Sequence, residues 1–211
     1  MPEAGIDWRH VDAHCVVVVK PAGLPSVPGR ADGLQDCLAL RVQQAVADAL
    51  VVHRLDMATS GLMLFARGLP AQRALSRAFE QRHVHKRYVA LVAGLPEADA
   101  GEITLPLIAD WPNRPRQKVD EALGKPSLTR WRVLARDAGA GRARVALEPL
   151  TGRSHQLRVH LAAIGHPIVG DALYGGSGPP AAPRLMLHAC ALGFAHPATA
   201  EPMRFEDPAP F

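Results

Sequence analysis

On either side of Asp137-Ala138-Gly139-Ala140-Gly141 the chain alternates between apolar and polar residues, a pattern that commits it to antiparallel sheet. Trp131, Val133 and Ala135 run into the turn on one face, and Ala143, Val145 and Leu147 leave it on the same face. The opposite face carries Arg130, Arg132, Arg136, Arg142 and Arg144. A ribbon of this kind needs a core on one side only, so the arginine face is expected in water. Other runs have strand length: Val16 to Val19 ahead of Lys20, Val51-Val52, Leu62 to Ala66, and Lys86 to Ala93, where Lys86 and Tyr88 share a face. Three stretches follow a helical period instead. Leu34 to Leu50 repeats apolar residues at Leu34, Leu38, Val42, Ala45, Val46 and Ala49, with Asp32 placed to cap it. The others are Pro70 to Arg82, with Pro at its start, and Ser154 to Ile164, capped by Ser154 and stopped by Gly165. The rest, from Ile168 to Phe205, reads as short strands around a loop at Gly175 to Pro183. Eight or nine strands with three inserted helices, no repeat and no low-complexity linker predict one α+β domain over residues 1–211.

Charge narrows the partners. The net charge is +4, but Trp111 to His160 holds eleven Lys/Arg against four Asp/Glu, which leaves the remainder mildly acidic. Twenty of the 24 cations are Arg, the residue whose planar fork suits phosphate and whose face stacks on bases. A genome rich in G and C would also raise Arg, though it would not cluster it. Apolar runs such as Cys15 to Val19 fall far short of the roughly 20 residues that span a bilayer. With no basic-then-apolar start, a cytoplasmic protein is expected. Cys15, Cys37 and Cys190 stand singly, without a CxxC pair, so neither a disulfide framework nor a zinc ribbon is encoded. His155 and His160 are five apart on the predicted helix, and no HExxH occurs, so no metal is expected. Gly175-Gly176-Ser177-Gly178 has neither the preceding strand nor the following Lys of a phosphate loop, and no cofactor is expected.

The sharpest local feature is the polar turn His53-Arg54-Leu55-Asp56-Met57-Ala58-Thr59-Ser60-Gly61 between two buried strands. A carboxylate held there beside Arg54 can stay ionised and oriented, or it can serve the turn alone. The stretches that accompany it are Lys86-Arg87-Tyr88-Val89-Ala90-Leu91-Val92-Ala93-Gly94, Thr151-Gly152-Arg153-Ser154-His155-Gln156-Leu157-Arg158-Val159-His160, and Gly165-His166-Pro167-Ile168-Val169-Gly170-Asp171. Together, and in this order, the four resemble the RluA family of pseudouridine synthases, and the resemblance runs from Lys20-Pro21 to the C-terminus.

The resemblance implies a mixed, largely antiparallel sheet with a central RNA-binding cleft and no separate N-terminal RNA-binding domain. It implies isomerisation of uridine: the N1–C1′ bond breaks, the uracil turns, and C5 joins C1′. In the family's roles Asp56 is the catalytic aspartate, Tyr88 stacks on the ring, Arg158 pairs with the aspartate, and Leu157 walls the uracil pocket. Arg54 fills the space left by the flipped base, and His53 with His155 buttresses the loops. Within the family, Asp110 to Lys118 and Ser26 to Arg30 resemble the dual-specificity branch. Its RNA partners are a hairpin loop of 23S ribosomal RNA and the anticodon stem-loop of transfer RNA. Arg114, Arg116 and Lys118, and Arg82, His83, His85, Lys86 and Arg87, would then lie along phosphates, and the enzyme is expected to act as a monomer.

The chemistry is consistent with these roles. Uracil leaves as a delocalised anion and remains to be reattached, so one carboxylate suffices where a glycoside hydrolase needs two. A second carboxylate beside Asp56 would favour hydrolysis, but Glu80, Asp120, Glu148 and Asp171 fall outside any recognisable pairing with it. A non-catalytic RNA-binding module, with Asp56 purely structural, is the other class.

Overall fold

The computed structural model describes residues 5–29, 35–176 and 182–211. In chain order its elements are β1 (Asp7–Val11), β2 (Cys15–Lys20), α1 (Leu38–Ala45), β3 (Ala49–Val51), β4 (Ser60–Arg67), α2 (Gly68–Glu80), β5 (His85–Ala93), β6 (Ala100–Ile103), β7 (Leu107–Ala109), β8 (Gln117–Val119), β9 (Thr129–Asp137), β10 (Arg142–Pro149), α3 (Gln156–Ala163), β11 (Leu187–Ala195) and β12 (Pro202–Glu206). A short 3-10 turn, Trp111–Asn113, lies between β7 and β8. These are more strands than the eight or nine expected, because hairpin ends such as β6 to β8 are too short to show a period. The described residues fall into two compact units: 1–86 with 189–209, and 87–188 with 210–211. No helix among the described residues is long and apolar enough to cross a membrane.

In the first unit β1, β2 and β4 form an antiparallel run, β3 pairs with β4, and β11 pairs with β12. Strands β2 and β4 are buried on both faces, which is why they read as unbroken apolar runs. Cys15 and Val17 of β2 and Leu62, Leu64 and Ala66 of β4 pack with Ala71 and Leu75 of α2. The alternate residues Val16, Val18, Met63 and Phe65 pack with Leu38, Ala39 and Val42 of α1. One helix therefore seals each side. Helix α1 is shorter than the period predicted. Arg30, Asp32 and Leu34 lie outside the described residues, and Ala49 opens β3 rather than closing the helix. Helix α2 begins two residues before Pro70, at Gly68.

In the second unit β10 pairs with β5 on one side and β9 on the other, β6 extends β9, and β7 pairs with β8. The predicted hairpin of β9 and β10 is present, with a shift of register. Arg144 faces Ala135 and Val145 faces Val133, so Leu134 is an extra residue, a β-bulge. Past the bulge the faces exchange. Arg136 lies opposite Ala143, on the side of Val145 and Leu147, and leaves the surface of Arg130, Arg132, Arg142 and Arg144. Its guanidinium ties down the loop before β6 through the carbonyls of Pro96, Glu97 and Ala98 and the Asp99 carboxylate. Arg136 is thus a loop clamp, not a member of the wet basic face.

Helix α3 also departs from expectation. Ser154 does not cap it; His155 occupies the N-cap in the left-handed region, with φ of 53°. Gly165 follows the helix at positive φ, as expected of a C-terminal stop. The helix is buried from Gln156 through Leu161, while Ile164 is only partly covered. The Gly175 to Pro183 loop and the Gly-rich run within it fall partly outside the described residues.

Candidate active site

In the first unit Asp56 sits on the link between β3 and β4, and the residues on both sides of it are pinned by the segment that follows β2. Leu55 is buried; its N–H donates to Ser26 Oγ at 3.1 Å and its carbonyl accepts the same hydroxyl at 2.7 Å. The Met57 carbonyl accepts from Gly23 N–H at 2.8 Å and from Lys20 Nζ at 3.0 Å. The Asp56 carbonyl closes the turn by accepting Thr59 N–H at 3.0 Å. The backbone that carries the carboxylate is fixed before any substrate arrives, while the side chains of Arg54 and Met57 face solvent.

Lys20 is the residue the sequence reading passed over. It is completely buried at the end of β2, and its ammonium also reaches the carbonyls of Pro21 at 2.9 Å and Leu24 at 2.7 Å. Three protons meet three carbonyls, which offsets the cost of taking the charge out of water. Burial pulls its pKa down to about 8 against the opposing pull of the Asp56 charge. The sequence signal was a lysine ending an otherwise wholly apolar strand.

His53 buttresses the turn as expected. Its ring stacks on Phe79 with centroids 4.5 Å apart, and Nε2 accepts the Leu64 N–H at 2.9 Å, so its proton sits on Nδ1. Burial, and then the nearby Lys86 ammonium, push its pKa down to about 3. Burial also lowers Lys86 from the ordinary lysine value. Arg82, His83 and His85 are exposed beside it.

The second unit assembles the other motif residues around α3. Arg158 is buried and grips Asp171 in a two-pronged ion pair, Nε to Oδ2 at 2.8 Å and Nη2 to Oδ1 at 2.7 Å. Burial works to raise the Asp171 carboxyl, but Arg158 and the amides of Leu173 and Tyr174 hold it below the usual carboxylate value. Asp171 was a residue of the fourth motif with no role from sequence; it aims Arg158. Gln156 accepts from the Thr151 hydroxyl and the Arg153 amide and donates to Leu128 and Thr129, bracing the 151–153 loop. His160 is fully buried between Thr129, Ser127 and the Leu105 carbonyl, a fastening role. Leu157 is buried on the same helix, and Tyr88 is half-buried on β5 opposite Leu147 of β10.

Tyr174 joins this helix to the basic hairpin of β7 and β8. Its hydroxyl accepts the Gln117 N–H at 2.7 Å and meets His155 Nδ1 at 2.8 Å. The guanidinium of Arg158 lies 5.1 Å from its ring centre and that of Arg116 5.5 Å. At the hairpin tip the Arg114 guanidinium stacks on the exposed Trp111 ring at 3.2 Å. Lys118 lies on β8 with Asp120 3.4 Å away.

The family model for RNA pseudouridylate synthases matches residues 14–163. Over 210 residues the chain is 50% identical to the dual-specificity RNA pseudouridine synthase RluA of Pasteurella multocida, covering 98% of this chain and 94% of that one. The same enzyme of Escherichia coli K12 is 50% identical over 201 residues, with 95% and 91% covered. Among solved structures, human RNA pseudouridylate synthase domain containing 1 superposes with a TM-score of 0.81 at 30% identity, covering 98% of this chain and 84% of that one. Human RNA pseudouridylate synthase domain containing 4 gives 0.76 at 25% identity, with 97% and 88% covered. With a pinned aspartate turn, a buried arginine on a motif helix and these relatives, the chain belongs to the RNA pseudouridylate synthase family and is an RNA-modifying isomerase.

Proposed function

We propose that this enzyme isomerises uridines in two RNAs, a 23S ribosomal RNA hairpin loop and a transfer RNA anticodon loop, with Asp56, Tyr88 and Arg158 as its catalytic residues. The observation that carries the reading of Asp56 is the two-sided clamp on its turn, through Ser26 at Leu55 and Lys20 at Met57. A carboxylate that serves a turn alone needs no such support. The relatives' dual specificity supports the pair of substrates, and the family match supports the isomerisation; the proposal includes action as a monomer in the cytoplasm.

The target uridine must leave its stack to be reached, and loop RNA opens at least cost. Arg54, exposed two residues before Asp56, fills the vacated space. The Asp56 carboxylate then attacks C1′, takes the C2′ proton, or adds to C6; each route ends with N1–C1′ broken, C5–C1′ formed, a proton lost from C5 and one gained at N1. Tyr88 covers the ring and its hydroxyl stands near the C5 proton. Leu157 supplies apolar wall, His53 and Lys86 support the approach, and Arg114, Arg116 and Lys118 meet phosphates.

Asp56→Asn tests the assignment. Turnover of a uridine-containing stem-loop should vanish while RNA affinity stays within several-fold, because phosphate contacts dominate binding. Pseudouridine formation at a tenth of the normal rate would overturn the role of Asp56.

A further inference from the structure

At the turn between β1 and β2 an imidazole and a thiol converge on one oxygen of the Asp12 carboxylate. His10 Nε2 lies 2.6 Å from Asp12 Oδ2, and Cys15 Sγ lies 3.7 Å from it. The three donor atoms are all within 4.8 Å of one another, and His10 and Asp12 remain partly open to solvent. The turn itself does not need this oxygen. Asp12 Oδ1 alone accepts the amides of His14 at 2.7 Å and Cys15 at 2.8 Å.

A second histidine holds the carboxylate from behind. His196 Nδ1 accepts from the amides of Ala198 and Thr199, so its proton sits on Nε2, 3.1 Å from Asp12 Oδ2. That pattern bars His196 from ligating a metal, which would require a ring without a proton. It suits a supporting residue that orients a ligand. His10 has no such bar, since its proton can move to Nδ1.

We propose that His10 Nε2, Asp12 Oδ2 and Cys15 Sγ bind one divalent ion of the zinc class, with water in the fourth position and His196 steadying Asp12. Nitrogen, oxygen and sulfur donors in one set favour zinc over magnesium or calcium. Zinc bonds of roughly 2.0–2.3 Å put tetrahedral donors about 3.3–3.7 Å apart, so the His10–Asp12 pair at 2.6 Å has to open while the Cys15–Asp12 pair at 3.7 Å is already in range, an adjustment that side-chain rotation supplies. The ion would fasten the β1–β2 turn and takes no part in isomerisation. On binding, the Cys15 thiol gives up its proton to solvent and the sulfur–metal bond forms; no oxidation is involved. An ordinary cysteine thiol is protonated at neutral pH, so about one proton should leave per ion bound.

Cobalt(II) added to the untagged full-length protein, stripped of metal, tests this. One equivalent per chain should bring up the near-ultraviolet sulfur-to-cobalt charge-transfer band with release of one proton, read from the buffer dependence of the binding heat, and zinc should then displace the cobalt and erase the band with no further proton released. Cys15→Ser should abolish the band, and His10→Gln, at a partly exposed position, should weaken cobalt binding at least tenfold. No band in the wild type overturns the proposal. So does a band that survives in Cys15→Ser, which would trace it to Cys37 or Cys190, or unchanged affinity in His10→Gln. Should Cys15→Ser fail to fold, the His10→Gln affinity and the proton count decide.

Discussion

A charge on the His53 ring would have to form where burial and Lys86 both oppose it, and this makes the turn sensitive to acid. The folded pKa lies below the unfolded value of about 6.5. Above pH 6.5 neither state binds the proton and nothing changes. As pH falls from 6.5 toward 3, the unfolded chain takes up a proton that the folded chain refuses, so stability declines through that window. Urea unfolding at pH 7 and pH 4.5 should show His53→Gln losing less than the wild type by on the order of 2 kcal/mol, since the Gln amide oxygen can still accept from Leu64. Equal losses would mean that His53 is charged in the fold. Lys20 makes a second case. Lys20→Met takes the ammonium from the carbonyls of Pro21 and Leu24 and leaves that of Met57 with Gly23 alone, and should cost about 3 kcal/mol and lower kcat through a loosened Asp56 turn. Motif residues such as His53 and Asp56 could be found from sequence because their polar chemistry interrupts apolar strands. The roles of Asp171 and Tyr174 could not, because they lie in partners 13 to 57 residues away.

Elements are set by backbone constraints that a period of residues does not contain. The hairpin of β9 and β10 was legible in its alternation, yet the bulge at Leu134 reverses the faces beyond it, and neither residue type nor spacing marks an inserted residue. The N-terminus of α3 was legible as a position but not as chemistry. A serine one residue earlier looked like the cap, while the chain turns through a left-handed His155 whose ring is held by Tyr174. Gly61 shows a constraint of the same kind at the start of β4. Its φ is +118°, and a Cβ there would meet the Ala189 backbone at 2.4 Å from the oxygen and 2.5 Å from the nitrogen. Gly61→Ala should therefore cost about 3 kcal/mol or more by denaturant titration. Gly141, with φ of +60° and open space around it, should cost about 1 kcal/mol on the same change. Comparable losses at the two would remove close packing of β4 on β11 as the reason. Tyr174→Phe tests the tie between α3 and the basic hairpin. Without the hydroxyl the Gln117 amide loses its acceptor, the hairpin loosens, and KM for RNA should rise several-fold with kcat nearly unchanged. A fall in kcat alone would mean that Tyr174 acts instead through Arg158, whose guanidinium lies 5.1 Å from its ring centre.

At the scale of the whole molecule, a net charge of only +4 has to hold polyanions, so the distribution of charge matters more than its sum. The hairpin of β7 and β8 is one exposed concentration: Arg114 stacked on Trp111, Arg116 over Tyr174, and Lys118 on β8. Contacts of this kind read backbone shape and stacking more than sequence, which is how one enzyme can serve two unrelated loops. Each phosphate neutralised adds about 0.7–0.9 to the slope of log affinity against log salt. Pure enzyme should convert isolated stem-loops from both a transfer RNA anticodon arm and a 23S hairpin, with the same slope for each. Replacing Arg114, Arg116 and Lys118 together by Ala should then lower both slopes equally, by about 2 to 3, while kcat on saturating RNA changes little. If the slope falls for one stem-loop and not the other, the two RNAs do not share this hairpin. If only one stem-loop is bound and converted at all, the enzyme has a single substrate despite its likeness to dual-specificity relatives.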